Sequence, residues 1–353
     1  MLYKKTKTGA VQQWAVRAEG GRITVEFGQV GGKLREKSTT CEGKNIGRAN
    51  ETTPEQQAVL EAESKYRKQL KAGYVVDPSG ESDLKLPMKI KNYKDNIANV
   101  VFPCYGSPKL NGVNGTFRLT NTGLILTSRG GEQYPVPLHQ VGPVTAALHK
   151  LGTTSVNGEI YLHGAWLEDI TGATKKHNEL TETLEFWAFE LPDVAGPFSN
   201  KIELLQGSEL RTPGVAILNS HEEIRRYHTI CVNAGYEGIV IRNVRCVYQY
   251  GTRSSDAFKY KIPESMEFRI RELDRVDKNG HPVIWMVNPQ GKDFKVKPKG
   301  DAERKLKILA QFEERYRGQW YTVEFESWSK YGVPLKPVGI GLRKCDKQGE
   351  PLE

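Results

Sequence analysis

Glycine interrupts this chain wherever apolar and polar residues begin to alternate. The stretches QQWAVRAEGGRITVEFGQVGG (12–32), SPKLNGVNGTFR (107–118), VNGEIYLHG (156–164) and YEGIVIRN (236–243) each run at period two for a few residues that start or stop at Gly, in two of them at Asn-Gly. Period two puts successive side chains on opposite faces of a strand, and Asn-Gly or Gly-Gly steps turn the chain tightly. Short strands in antiparallel sheets or small barrels are the folds open to such a sequence, so the class is α+β.

With 353 residues and 38% hydrophobic content, the chain exceeds what one core usually carries, and several domains are expected. Residues 1–76 read as a β-meander followed by a helix over TTPEQQAVLEAESKYRKQLKAGY. That helix starts at Thr-Pro, has Glu in its first turn and basic residues near its end, and stops at Gly73. Residues 77–94, rich in Pro, Gly, Ser and charge, have the composition of a linker. Strand-like and short helical runs alternate over 95–263. From 264 to 353 further short strands and one helical run, DAERKLKILAQFEERYR, predict a small antiparallel barrel.

Lys plus Arg number 51 against 42 Asp plus Glu, a net charge of +9, which favours a polyanionic partner. No run approaches eighteen apolar residues and MLYKKTKTG lacks a signal-like apolar core, so no membrane is expected and the cytosol, of a bacterium or a phage-infected host, is the expected compartment. Cys41, Cys104, Cys231, Cys246 and Cys345 show no C-x-x-C spacing and read as reduced thiols rather than a disulfide or zinc framework. The Walker phosphate loop, H-E-x-x-H, G-x-S-x-G and the Rossmann glycine fingerprint are all missing.

Four places remain that carry chemistry. Lys109 stands between a proline and two Asn-Gly steps; a lysine becomes a nucleophile toward a phosphoryl or carbonyl centre when burial or neighbouring cations lower its pKa. Glu159 and Glu237 each follow or precede a Gly at the head of an alternating run, where a carboxylate projects from a strand edge, suited to a ribose hydroxyl or a hydrated metal. Lys259 and Lys261, at i and i+2, share one strand face and suit a phosphate.

In order and content these segments resemble the covalent nucleotidyltransferase superfamily, which holds ATP-dependent DNA ligases, RNA ligases and mRNA-capping guanylyltransferases. Its patterns K-x-D-G-x-R, S-R-x-G, D-G-E, an aromatic F-D strand, E-G-[LIV]-[LIV]-x-[KR] and K-x-K meet KLNGVN, SRGG, NGEI, FWAFEL, EGIVIR and KYK here. The late segment YTVEFESWSKYGVPLKPVGIGLRKCD is similar to the last strands of the OB-fold in small viral or phage-like DNA ligases. The resemblance implies an ATP-grasp-like nucleotidyltransferase domain followed by an OB-fold barrel, and an enzyme that seals nicks in duplex DNA, in replication or repair, as a monomer. It implies that Lys109 takes up AMP from ATP, with Mg²⁺ (or Mn²⁺) held by Glu237. Glu159 would bind the ribose, Phe189 would stack on adenine, and Arg129, Lys259 and Lys261 would lie at the phosphates. Arg343 would meet the leaving pyrophosphate and contact DNA.

Two departures stand out. The Asp and Arg of the lysine pattern are Asn111 and Asn114. RNA ligases vary at the same places, which leaves an RNA-joining enzyme as the alternative; the lost guanidinium also removes a bidentate phosphate contact, a duty open to Arg118 or Arg129. The N-terminal segment resembles a WGR-type nucleic-acid-binding domain, with VEFGQVGG in place of its Trp-Gly-Arg strand. Lys4, Lys5, Lys7, Lys33, Arg35 and Lys37 are its candidate phosphate contacts.

Overall fold

Gly20 and Gly21, at φ of 54° and 74°, close the hairpin between strands β2 (Val11–Glu19) and β3 (Arg22–Gln29), in which Glu19 faces Arg22. Only two residues make the turn, and both need the left-handed region. With β1 (Leu2–Lys5) and β4 (Arg35–Thr40) these strands form a four-stranded sheet in chain order. Helix α1 (Pro54–Lys71) follows. Thr53 caps it: its side chain accepts from Gln56 N while the Gln56 side chain accepts from Thr53 N, with Pro54 at the first helical position. The small core packs Ile23, Cys41, Ala58 and Ala62 with Val16, Ala18 and Val25. The expected meander and helix are both present.

The computed structural model describes residues 1–6, 8–78, 85–277 and 279–352. The chain divides into two units: Met1–Lys89 with Leu126–Gln133 and Gln249–Arg253, and Ile90–Ile125 with Tyr134–Tyr248 and Ser254–Glu353. Part of the stretch read as a linker falls outside the described residues, and its end is structured: Lys89–Asn92 forms strand β5. With Ile90 its one apolar residue, β5 leaves no alternation to read.

Two five-stranded sheets follow. One is ordered β11 (Glu185–Glu190), β10 (Ser155–Tyr161), β7 (Val113–Thr120), β8 (Gly123–Ser128), β9 (Gln133–Tyr134). The other is ordered β12 (Ala216–Leu218), β6 (Cys104–Lys109), β13 (Gly238–Asn243), β14 (Arg253–Tyr260), β5. Helices α2 (Leu138–Lys150), α3 (Leu167–Lys175), α4 (Phe198–Gln206) and α5 (His221–Asn233) connect the strands. Ile224 and Cys231 of α5 pack on Cys104, Ile239, Ile241 and Phe258 of the second sheet. All five cysteines are free, and burial pushes the Cys104 thiol up to about 11.

The C-terminal strands β15 (Glu264–Val276), β16 (Pro282–Val287), β17 (Asp293–Pro298), β18 (Trp320–Phe325) and β19 (Val338–Arg343) close a barrel in the order β15-β16-β17-β19-β18. Strands β17 and β19 pair in parallel, and helix α6 (Ala302–Ala310) lies between β17 and β18 in sequence. That is the OB arrangement. Register shifts at Ile270/Glu272 and Leu273/Arg275 bend the long β15 around the barrel, whose core includes Phe268, Ile284, Phe294, Tyr321 and Phe325. Among the described residues no helix is long and apolar enough to cross a membrane.

Candidate active site

Strand β6 ends at Lys109, which pairs with Gly238 at the start of β13. Glu237 N donates to the Lys109 carbonyl at 3.0 Å, so backbone register alone brings the two side chains together, and they form an ion pair. On the other flank β14 pairs with β13 and leads directly into Lys261. The Lys261 ammonium lies 3.0 Å from Glu237 Oε1 and 2.5 Å from Oε1 of Glu326, just after β18. Lys336 lies 2.6 Å from Glu326 Oε2. The result is a row of alternating charge, Lys109–Glu237–Lys261–Glu326–Lys336, running from the sheet onto the barrel.

The row sets the electrostatics. Burial pushes the Glu237 carboxyl up, but Lys109 and then Lys261 outweigh it and hold the group below the ordinary carboxylate range. Burial would lower Lys261, yet Glu326 and Glu237 keep it above the ordinary ammonium value. Lys259 goes the other way: burial, Lys261 and Lys109 push it down, and Glu326 and Glu237 offset this only in part. Cations and carboxylates at the mouth of a sheet are what a polyphosphate could exchange partners with.

Glu159 sits half-buried on β10, opposite Asn114 of β7 and Trp187 of β11. The lysine turn lies against it. A Cβ on Gly112 would fall 2.3 Å from the Ile160 carbonyl oxygen and 2.8 Å from Glu159 Cγ, so only glycine lets the turn approach this closely. A Cβ on Gly158 would likewise meet the Trp187 carbonyl at 2.5 Å.

Trp187 and Phe189 share the half-exposed face of β11. Phe189 lines a crevice of about 320 Å³, counting its open mouth, together with Ser107, Phe198, Ile202 and Arg242. Arg242 is fixed from behind: its Nη1 donates to the Phe189 carbonyl at 3.0 Å and to Glu190 Oε2 at 3.3 Å, while Lys201 lies 3.0 Å from Glu190 Oε1. The guanidinium carbon stands 4.1 Å from the centre of the Phe198 ring, and Nε of Arg242 is buried without a partner among the described residues.

Sequence reasoning passed over Arg242, Glu190, Lys201 and Glu326. Arg242 closes the EGIVIR segment and was open to notice there. Lys201 and Glu326 reach their partners only through the tertiary fold.

The remaining candidates lie as follows. Arg118, on β7, is 3.6 Å from Asp193 Oδ2 and pairs across the sheet with Ser155, four positions along β7 from Asn114. Arg129 belongs to the first unit and is exposed on the Ser128–Gly131 turn. Lys33 and Arg35 are exposed at the entry to β4, and Lys37 within it, also in the first unit with Lys4 and Lys5 of β1. Lys7 lies outside the described residues. Arg343 is exposed at the end of β19, opposite Trp320. Among the described residues no three ligating side chains cluster for a metal.

The DNA ligase of African swine fever virus, in a tick isolate from South Africa, is 26% identical to this chain over 353 residues, spanning 92% of this chain and 83% of the relative. That of a Namibian warthog isolate is 25% identical with the same coverage. A solved structure from work on Lig E DNA ligases superposes with a TM-score of 0.58 at 18% identity, covering 76% of this chain and all of that one. The structure of Pmar-Lig_PreS3 gives 0.62 at 13% identity, over 83% and 73%; at such identities both likenesses are of fold. No family model matches the chain. With Lys109, Glu237 and the K-x-K segment close together at the ends of adjoining strands and an OB barrel following them in sequence, the chain is similar to these viral DNA ligases and shares the fold of the solved ones.

Proposed function

We propose that the chain seals nicks in duplex DNA by passing AMP from ATP through Lys109. The observation that carries this reading is the meeting of Lys109, Glu237, Lys259 and Lys261 at adjoining strand ends, beside the crevice lined by Phe189 and Ser107. In the first step the Lys109 Nζ–phosphorus bond forms, the bond from the α-phosphorus to pyrophosphate breaks, and the amine proton goes to solvent. Lys259 and Lys261 neutralise charge spreading over the transferring phosphoryl oxygens. Glu159 holds the ribose, and Phe189 stacks on the base in the crevice, with Arg242 at its wall. A DNA 5′-phosphate then takes the AMP from Lys109, and the adjacent 3′-hydroxyl displaces AMP as the phosphodiester forms.

A divalent ion such as Mg²⁺ fits this site only in company with substrate. Glu237 is the carboxylate that meets Lys109, and nucleotide enzymes commonly hold Mg²⁺ through one or two carboxylates plus phosphate oxygens and water. Such an ion supplies charge stabilisation to the pyrophosphate leaving group. Arg343 at the barrel's end and Arg129 would serve phosphates; Lys33, Arg35 and Arg118 would serve the DNA backbone. Incubation with α-labelled ATP and Mg²⁺ should label the chain at Lys109. The label should then pass to a nicked duplex and be released on joining. A wild-type chain that takes no label overturns the reading, and joining only at nicks with RNA on the 3′ side would favour an RNA-joining enzyme.

A further inference from the structure

The lysine and D-G-E patterns are broken by three asparagines, and two of them meet. Asn157, only 3% exposed, shares its amide N–H donors among Asn114 Oδ1 at 3.3 Å, the Gly115 carbonyl at 3.0 Å and Thr116 Oγ1 at 2.9 Å. Asn114 Nδ2 returns a hydrogen bond to the Gly158 carbonyl at 3.1 Å. The clasp sits where the pairing of β10 with β11 shifts register, between Asn157 and Gly158. Bulges of this kind re-aim the side chains that follow them, and here the next residue is Glu159.

We propose that Asn114 and Asn157 are positioning residues. They form a neutral amide clasp in the places where the family pattern has a guanidinium and a carboxylate, and they hold the Lys109 turn against the Glu159 strand in the geometry that adenylyl transfer requires. The proposal rests on the reading of Lys109 as the AMP acceptor.

Three physical points support it. First, the two residues are charge-matched: Asp alone at the buried position 157 would leave a carboxylate beside a neutral partner, which is costly, and Arg alone at the half-buried position 114 would find the Glu159 carboxylate across the strand pair and draw it out of place, whereas replacing both would leave an ion pair. Second, a carboxylate at 157 with Asn still at 114 would aim acceptor oxygens at the Gly115 carbonyl, which now receives an N–H. Third, Asn114 lies directly across from Glu159, and Gly112, two residues earlier, packs on Glu159 and Ile160. Any slip of the bulge therefore moves Glu159 relative to the lysine turn. Small displacements of positioned groups are expensive in rate.

The test is a double-mutant cycle on the full chain: wild type, Asn114→Arg, Asn157→Asp and the pair combined. Two readouts are taken well below every melting midpoint. One is the single-turnover rate of AMP adduct formation across ATP concentrations; the other is the melting midpoint itself. Each single change should cut the maximal adduct rate by about tenfold or more with the half-saturating ATP concentration shifted less than about threefold, and the pair should return to within about threefold of wild type. Melting should show the same coupling, lowered in each single and recovered in the pair. Losses that multiply in the combined variant overturn the proposal, as do single changes that run at the wild-type rate. Coupling in melting without coupling in rate would reduce the clasp to a structural feature. A wild-type chain that forms no adduct would instead overturn the transfer reading, and the melting series would still judge whether the two asparagines act as a unit.

Discussion

Glu190 sits between Lys201 and Arg242 much as Glu237 sits between Lys109 and Lys261, but the two rows meet solvent differently. Lys201, Glu190 and Arg242 are 1%, 3% and 8% exposed. The side chains of Lys109 and Glu237 are 22% and 16% exposed, and Glu326 farther along that row reaches 30%. A dry row cannot trade its partners, because each charge left alone would bear its full desolvation cost. A wet row can: incoming phosphate oxygens replace a carboxylate without stranding a charge. The same pairing is thus a dry frame behind Phe189 in one place and, on the proposed reading, a set of counter-ions open to exchange beside Lys109 in the other.

The comparison can be broken in four ways. Lys109→Ala should have the largest effect, lowering AMP adduct formation by more than about a thousandfold, while sealing of a nick supplied already adenylylated continues. Label appearing on that variant would remove Lys109 from the chemistry. Next, Glu190→Ala should leave two buried cations unpaired and cost about 3–5 kcal/mol in urea unfolding; a loss below about 1 kcal/mol would place this triad with surface pairs.

Glu237→Gln should give a smaller, pH-dependent change. Because the native Glu237 carboxyl titrates below its ordinary value of 4.5, its contribution is complete above that value and is lost as pH falls through the lower native one. The stability gap between wild type and variant should therefore be widest at neutral pH and narrow as pH falls below 4.5. A gap that widens in acid would reverse the sign argued here. Lys261, held above its ordinary value of 10.5, contributes below that value and loses its contribution as pH rises through the raised native one. Smallest of all, Lys336→Ala should change stability by no more than about 0.5 kcal/mol, since the Lys336 side chain is 74% exposed. A larger loss would mean that the wet row is as structural as the dry one.

Much of this was legible in the sequence where local rules govern. The meander, the Thr53–Pro54 helix start and the barrel strands follow from period-two runs, caps and turn residues. Lys109 and Glu237 stood out because glycine-flanked strand ends mark them, and Lys259 and Lys261 because their i, i+2 spacing puts them on one strand face; Glu159, expected at the head of a strand, lies inside β10, because Gly158 sits at a register shift within the strand and not in a turn. Arg242 was visible as the last residue of EGIVIR, but its burial was not, because β13 is a central strand covered on both faces: Ile239 and Ile241 are fully buried and Arg242 nearly so, so alternation no longer separates inside from outside. Lys201 pairs with Glu190 from a helix on a different segment, and Glu326 reaches Lys261 from the barrel; no spacing rule connects them. The asparagine substitutions were visible as departures, but that Asn114 and Asn157 bond to each other required the β7–β10 register.

The chain passes between the two five-stranded sheets only twice, through Leu110–Gly112 and through the far longer stretch 191–215. The first strap, three residues long, spans at most about 10 Å and is pressed by Gly112 onto the Ile160 carbonyl. At a second place Arg242 of one sheet donates to the Phe189 carbonyl and to Glu190 of the other, so the two sheets are held together by a short covalent strap and by a buried ion pair. Lys109 is the residue at the root of the strap, and its backbone is therefore tied to both sheets within three residues.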